Sequence, residues 1–210
     1  MSDTFLTGDT HFGHADAISL FSRPFESIDA MDSTMIDRIN ERVGRKDVLI
    51  HIGDFCGPAN WSDRAVRRRA EEIRDAIRCR SIVLIRGNHD PRDRGSFDRL
   101  FDEAHDLLEY RLKGGERERL VLTHYPLRIW RGIWTGAMHG YGHAHGTMPE
   151  LGRSLDVGVD NWDFRPIEVE WLGSLLRARA VEKPAEWSRR QPSRVPPERS
   201  SAAPADRASS

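Results

Sequence analysis

The sequence predicts an α/β protein with a two-layered sheet core flanked by helices. Short runs rich in β-branched residues alternate with longer helical patterns in the first half of the chain. The second half carries several further strand candidates at short intervals. At 210 residues, the chain is long enough for one such domain followed by a tail.

Three continuously apolar runs predict strands in the first half, at 4–7, 47–52 and 81–85. Apolar residues at helical spacing between 31 and 43, and again between 65 and 77, predict the helices that connect these strands. Ser27 or Asp29 is the expected N-cap of the first helix. Continuously apolar strands are typical of a sheet that has helices on both faces.

The second half of the chain is predicted to be rich in strands. Residues 107–112 and 120–124 flank Gly114-Gly115, a pattern typical of a β-hairpin with a glycine turn. Three further strands are expected at 138–141, 154–157 and 167–171. The strands of the two halves together form the predicted two-layered core.

The overall charge argues against a general affinity for nucleic acids or membrane surfaces. Lys and Arg number 32 and Asp and Glu number 33, which gives a formal net charge of -1. The two cysteines form no Cys-x-x-Cys pair, no apolar run reaches membrane-spanning length, and the first residues lack signal-peptide features. We therefore expect a cytoplasmic protein that does not associate with membranes.

Residues 183–210 differ in composition from the rest of the chain. This segment holds five of the eleven prolines, and Trp187 and Val195 are its sizeable apolar side chains. Such a segment buries too little apolar surface to offset the entropy lost on ordering it. We predict one folded domain over 1–182 and a disordered tail over 183–210.

Metal-capable side chains follow five of the predicted strands, at the carboxyl end of each. They stand in five groups: Gly8-Asp9-Thr10-His11, Gly53-Asp54, Gly87-Asn88-His89-Asp90, His124 and Gly142-His143-Ala144-His145. The carboxyl ends of strands in open α/β sheets share one edge, and binding sites assemble there. We expect all five groups to meet at that edge.

The five groups contain three carboxylates and five imidazoles. Clustering them without enough Lys or Arg nearby is costly unless cations occupy the site. A mixed set of oxygen and nitrogen ligands suits borderline divalent metals, and there are enough ligands for two ions. We expect two divalent ions, with manganese as the first choice and iron, zinc, nickel, cobalt or magnesium as alternatives.

The ordered set of motifs resembles the calcineurin-like metallophosphoesterase superfamily, and especially its small bacterial and phage members. The family pattern D-x-H, G-D, G-N-H-D/E, H, G-H-x-H is matched in order by the five groups, within residues 3–170. The resemblance implies a four-layer α/β/β/α sandwich with a two-sheet core. It also makes residues 1–182 a metallophosphoesterase catalytic domain.

The resemblance implies a role for each residue of the pattern. Seven residues would be metal ligands, three for each ion and one bridging both: Asp9, His11 and His145; Asn88, His124 and His143; and Asp54. His89 resembles the family's general acid. The implied reaction is hydrolysis of a phosphomonoester or phosphodiester by in-line attack of a metal-bridging hydroxide on phosphorus.

One position departs from the family pattern. Many members carry a second Asp three residues after the bridging one, where it orients the catalytic His, and this chain has Gly57 there. Asp90 or a backbone carbonyl is the expected replacement as partner of His89, which makes Asp90 a catalytic candidate. The alternative is that Asp90 is only a turn residue before Pro91.

Three residues are candidates for substrate contact. His14 either reaches the phosphate or lies in the first turn of a helix. Arg23 either clamps substrate or pairs internally. Arg131 lies in segment 127–134, whose aromatic and arginine side chains either stack on a nucleobase or pack on the sheet.

The expected partner is a phosphoester, with nucleotides and nucleic-acid ends among the options, and the oligomeric state is left open. Two other functions compete with hydrolysis. If the protein were a non-catalytic metal-bound scaffold, we would expect metal ligands or His89 to be lost. This sequence retains them. A nucleic-acid-binding protein that uses the arginines of the tail predicts strongly salt-dependent binding.

Overall fold

The computed structural model describes residues 2–58, 60–91, 94–114 and 118–181. The strands in these ranges are β1 (Thr4–Thr7), β2 (Val48–His51), β3 (Ser81–Ile85), β4 (Glu103–His105), β5 (Leu108–Arg111), β6 (Arg119–Leu122), β7 (Met138–Tyr141), β8 (Ser154–Asp156) and β9 (Ile167–Glu168). The α-helices are α1 (Ala17–Leu20), α2 (Ile28–Arg42), α3 (Asp63–Ala76), α4 (Arg94–Phe97) and α5 (Val169–Arg177). The predicted disordered tail, 183–210, lies outside the described residues.

The strands form two mixed sheets. The first has the order β4-β3-β2-β1-β9, in which β1 to β4 are parallel and β9 is antiparallel to β1. The second has the order β5-β6-β7-β8, in which β5 and β6 are antiparallel and β6 to β8 are parallel. The antiparallel pairing of β5 with β6 confirms the predicted hairpin, although Gly115 of its turn lies outside the described residues.

The first sheet is buried on both faces by different partners. Leu49 and Ile82 pack with apolar residues of α2 and α3 in one core cluster. Ile50 and Ile85 pack with Leu120 of the second sheet in the other. The first sheet is thus covered by helices on one face and by the second sheet on the other. The expectation that helices cover both of its faces is wrong, because a second sheet buries apolar strands equally well.

Helices α2 and α3 begin where side-chain caps are available. Ser27 accepts a hydrogen bond from the backbone N–H of Ala30, and Ser62 accepts one from Ala65. Ser27 is therefore the N-cap of α2, and it is one of the two residues predicted for that position. Buried residues of α3 recur at helical spacing and face the sheet.

The C-terminal element differs from the prediction. The strand expected at 167–171 stops after two residues, and the chain continues as helix α5. Val169, Leu172 and Leu176 are all buried and follow helical spacing, so burial of this apolar face favours the helix over further strand. Within the described residues, no helix is long and apolar enough to cross a membrane.

Candidate metal centre

The loops after β1 and β2 run side by side beyond the end of the sheet. The backbone N–H of Asp9 donates to the carbonyl of Gly53 over 3.0 Å, and the N–H of His11 donates to the carbonyl of Asp54 over 3.0 Å. The loop after β3 joins them, because the N–H of His89 donates to Oδ1 of Asp54 over 2.8 Å. Three of the predicted groups therefore meet at one edge of the sheet.

A first group of three metal-capable side chains consists of Asp9, His11 and His145, which we call the first trio. One ligand atom from each lies within 4.8 Å of the others. Asp9 and His11 are buried. Nε2 of His11 is buried and has no hydrogen-bond partner among the described residues. A buried imidazole nitrogen without a partner is costly, and a metal ion bound to its lone pair would remove that cost, so these residues fit an ion.

A second group consists of Asp54, His124 and His143, which we call the second trio. Their ligand atoms also lie within 4.8 Å of one another. Asn88 adjoins this group, because its Oδ1 lies 3.0 Å from Nε2 of His124. Asp54 and His124 are buried, whereas His143 is exposed. This trio therefore opens to solvent on one side.

One carboxylate oxygen is shared by the two trios. Oδ2 of Asp54 lies 3.6 Å from Nε2 of His11 and 3.4 Å from Nε2 of His124. The other oxygen of Asp54 is occupied by the backbone N–H of His89. Oδ2 thus faces a ring nitrogen of each trio.

Two of the histidines are oriented by partners outside the trios. Nδ1 of His145 lies 2.7 Å from Oδ2 of Asp160, and Nδ1 of His124 lies 3.0 Å from the carbonyl of Ile52. When Nδ1 donates to such an acceptor, the lone pair of Nε2 is left for a metal. These contacts therefore prepare both rings to act as ligands through Nε2.

The electrostatics of the trios favour a cation. Burial would lower the pKa of His124, but its hydrogen bond to Asp54 and the charges of Asp54 and Asp9 outweigh burial and raise that pKa to about 9. Burial raises the pKa of Asp9 well above its usual range. Asp9 and His124 thus favour a bound proton, which a divalent ion would replace.

Five of the seven candidate ligands adopt a left-handed backbone. Their φ angles lie between 46° and 67°: Asp9, His11, Asp54, His143 and His145. This region is uncommon for residues other than glycine, although Asp and His are enriched there. Such conformations cost about 1–3 kcal/mol each and cluster at functional sites.

Comparisons with known proteins agree with this geometry. The sequence matches the model of the calcineurin-like phosphoesterases over residues 4–195. The chain belongs to this family. The match extends beyond residue 182, where we predict that the folded domain ends. Calcineurin-like phosphoesterases are metal-dependent hydrolases of phosphoesters, and divalent ions are therefore the expected cofactors.

Relatives of similar length occur in an archaeon and in a phage. An uncharacterised protein of Methanocaldococcus jannaschii is 28% identical over 182 residues, which cover 84% of this chain and 92% of the relative. The gene 66 protein of Mycobacterium phage D29 is 28% identical over 196 residues, covering 80% and 94%. A crystal structure of a protein of unknown function from Aquifex aeolicus superposes with a TM-score of 0.62 at 24% identity, covering 83% of this chain and all of that one.

The environment of His89 differs from what we expected of a calcineurin-like phosphoesterase. Its ring packs nearly perpendicular to His11, with 4.8 Å between ring centroids. Nδ1 of His89 is buried and has no hydrogen-bond partner among the described residues. Within the described residues, neither Asp90 nor a backbone carbonyl therefore hydrogen-bonds to Nδ1 of His89. The ring contacts His11 instead, and its orientation by Asp90 or a backbone carbonyl stays a prediction.

Asp90 joins two loops of the site. Its carboxylate accepts hydrogen bonds from the backbone N–H groups of Asp54, Phe55 and Gly87, over 2.7 to 3.1 Å. These contacts agree with the alternative of a turn residue before Pro91 and extend it. Asp90 fixes the loops that carry the candidate ligands, and a catalytic role for it stays a prediction.

Gly57 occupies the position where many family members have Asp. Its φ is +71°, and a Cβ atom there would lie 2.8 Å from Cε3 of Trp61. A larger residue would strain the backbone and collide with the indole ring. The local fold of this chain therefore requires glycine where an orienting carboxylate would stand.

The structure places Arg23 inside the protein. Its guanidinium donates to both carboxylate oxygens of Asp160 and to the backbone carbonyls of Asp9 and Thr10. The residue is 4% exposed. Of the two alternatives for Arg23, the structure agrees with internal pairing. The salt bridge holds Asp160, whose carboxylate lies 2.7 Å from Nδ1 of His145.

The other two candidates for substrate contact lie in different places. His14 is buried beside the first trio, and its Nδ1 lies 3.4 Å from Nδ1 of His11. Arg131 is exposed and pairs with Glu109, and it lines a cavity whose described walls contain none of the candidate ligands. The expectation that Arg131 contacts substrate at the metal centre therefore has no support in the geometry.

For one tryptophan of segment 127–134, the structure decides between stacking on a base and packing on the sheet. Trp130 is buried and donates its indole N–H to the carbonyl of Ala137, so it packs on the second sheet. The stacking alternative is wrong for this tryptophan. Asp160 and Tyr125 were not among the residues predicted for the site. Asp160 follows strand β8, and the rule that identified the other groups would have found it.

Proposed function

We propose that the protein hydrolyses phosphoesters at the two trios, with the substrate phosphoryl group between them. The observation that carries this proposal is the position of Asp54, whose Oδ2 lies within 3.6 Å of a ring nitrogen in each trio. One carboxylate placed in this way would serve two ions together. Asn88, beside His124, adds a neutral oxygen to the second trio.

Two divalent ions held there would activate the attacking water and neutralise charge on the phosphoryl oxygens. The protein's own residues would position the substrate and the ions. The oxygen of water forms a bond to phosphorus while the bond from phosphorus to the ester oxygen breaks. One proton reaches the departing oxygen, and His89 is the candidate donor because its ring borders the first trio.

The test uses wild-type protein with the variants Asp54→Asn and His89→Gln, loaded with manganese. The substrates are 4-nitrophenyl esters of phosphate, whose leaving group departs without a proton, and alkyl esters, whose leaving group needs one. We expect Asp54→Asn to lower kcat/KM for both classes by about 10³-fold, since a neutral amide replaces the charged carboxylate that faces both trios. We expect His89→Gln to lower kcat/KM about 10²- to 10⁴-fold for alkyl esters and much less for 4-nitrophenyl esters.

His105→Gln is the matched control. His105 lies on β4 and pairs with Glu103, outside both trios. Its substitution is expected to leave the rates within about twofold. Equal rates in wild type, Asp54→Asn and His89→Gln would overturn the proposal. Replacing manganese by iron, zinc, nickel, cobalt or magnesium in the same assay identifies the preferred ion.

A further inference from the structure

A cavity of about 620 Å³ opens beside the second trio. Asn88 and His124 line it directly, and its other described walls come from the loop after β3, the loop after β6 and Asp106. Cavities of about 300–1,000 Å³ are the usual size of small-molecule sites. A phosphoryl group held at the second trio would therefore place one of its substituents at this cavity.

Tyr125 presents an aromatic ring in this cavity. Its ring centroid lies 4.7 Å from that of His143 and 5.1 Å from that of His124, with interplanar angles of 65° and 71°. The backbone at Tyr125 is fixed, because its carbonyl accepts a hydrogen bond from Oγ1 of Thr123 over 2.7 Å. The residue is nevertheless 51% exposed. A fixed and accessible ring is a stacking surface that costs little entropy to use.

Among the residues that the structure describes, the charges around the cavity disfavour a second phosphate. Arg86 lines the cavity, but its guanidinium pairs with Asp98 over 2.6 Å and with Asp106 over 3.3 Å. Asp90 and Asp106 both contribute to the walls. Pro91 and Leu127 add apolar surface. These walls suit an uncharged group better than an anionic one.

The candidate acid lies away from this cavity. His89 packs on His11 of the first trio and is absent from the described lining. In an in-line displacement, the leaving oxygen lies beside the acid, while the substituent that stays on phosphorus points sideways. The cavity is therefore placed to hold the retained substituent.

We propose that Tyr125 and this cavity bind the retained ester substituent of a phosphodiester, and that this substituent is an uncharged aromatic group such as a nucleoside. The inference rests on the proposed function and adds the substrate class to it. A monoester substrate has only the ester group that departs, so its hydrolysis would leave the cavity unused. The monoester product of a diester keeps the retained substituent and would still fill the cavity. Stacking on an exposed aromatic ring is of the right strength to change affinity about tenfold.

The experiment compares two diesters that release the same leaving group. Bis(4-nitrophenyl) phosphate retains an aromatic substituent, and methyl 4-nitrophenyl phosphate retains a methyl group. We expect wild-type kcat/KM to favour the aromatic diester, and we expect this ratio to fall about tenfold in Tyr125→Ala and to persist in Tyr125→Phe. Trp134→Ala is the control, because Trp134 is 48% exposed and absent from the described lining of the cavity.

A binding measurement separates this inference from the proposed function. Titration calorimetry with manganese-loaded protein compares thymidine 5′-monophosphate with methyl phosphate. We expect the nucleotide to bind about tenfold more tightly, and Tyr125→Ala to abolish that difference while the bound manganese stays unchanged. If no ester is hydrolysed but this difference holds, the proposed function fails and the binding site stands.

An unchanged substrate ratio in Tyr125→Ala would overturn the inference, as would an unchanged nucleotide preference. Loss of bound manganese in Tyr125→Ala and Tyr125→Phe alike would also overturn it, since Tyr125 would then act by supporting His143 and His124.

Discussion

Nδ1 of His14 lies 3.4 Å from Nδ1 of His11, and this contact assigns the two nitrogens of His11 to different tasks. If Nδ1 of His11 carries the proton and donates it to His14, the lone pair of Nε2 faces Asp54. His14 is then a positioning residue for the first trio. Neither of the two roles predicted for His14, contact with the phosphate or the first turn of a helix, accounts fully for its position beside His11.

The first prediction tests that role with two substitutions of His14. His14→Ala removes the acceptor, and we expect it to weaken binding of the first manganese ion by about 10- to 100-fold. His14→Asn keeps an acceptor oxygen near the position of Nδ1, and we expect it to restore most of the affinity. Titration calorimetry measures both. Equal losses in the two variants would show that the acceptor atom is irrelevant.

The second prediction concerns Asp160, which lies 2.7 Å from Nδ1 of His145 and pairs with buried Arg23. Asp160→Asn keeps the shape of the side chain and removes its charge. We expect about 10- to 100-fold weaker binding of the ion at the first trio, measured by metal titration. Asp163→Asn, at an exposed carboxylate of the same loop, is the matched control and should bind metal normally. Unchanged affinity in Asp160→Asn would contradict the orienting role.

The third prediction concerns chelation. His143 is exposed, whereas Asp9 and His11 of the first trio are buried. We expect a chelator to remove the ion of the second trio first, so that metal release has a fast and a slow phase. His143→Ala should abolish the fast phase, and His145→Ala should abolish the slow one. A single phase from wild-type protein holding two ions would rule out this order of release.

The fourth prediction concerns pH and a histidine outside the trios. Burial lowers the pKa of His139 to about 4, and its ring accepts a hydrogen bond from the N–H of Leu127 through Nε2. The unfolded chain, with a histidine pKa of about 6.5, binds more protons between pH 6.5 and 4. The contribution of His139 to stability is therefore complete above pH 6.5 and falls by up to about 3 kcal/mol as the pH drops to 4.

Urea unfolding in the presence of a chelator measures this effect. His139→Asn should be less stable at neutral pH and should lose less free energy of unfolding between pH 6.5 and 4 than wild type does. His105→Asn, at a partly exposed histidine, should follow the wild-type pH dependence. The assignment fails if His139→Asn and wild type have the same pH dependence.

Much of this arrangement was predictable from the sequence because strand ends and polar groups coincide along the chain. The limits of β1 and β3 match the prediction, and the loops after them carry the candidate ligands. Contacts between distant loops were not predictable. Arg23 and Asp160 pair across 137 residues, and no local pattern indicates such a pair.

Helix α5 was not predicted for a different reason. Its first residues, Val169 and Trp171, are typical of strands, and only the packing of Leu172 and Leu176 between the sheets favours a helix. The environment of His89 was not predictable either. The sequence shows that position 57 is a glycine without a carboxylate, but it does not show that the ring of His89 contacts His11.

The left-handed backbone at five of the seven candidate ligands sets stability against function. A glycine at Asp9 or His145 would adopt the same φ without this strain of about 1–3 kcal/mol. The same change would delete a ligand. Selection for thermal resistance alone would therefore erode this site, and engineers who stabilise the protein by relieving backbone strain should leave these five positions untouched.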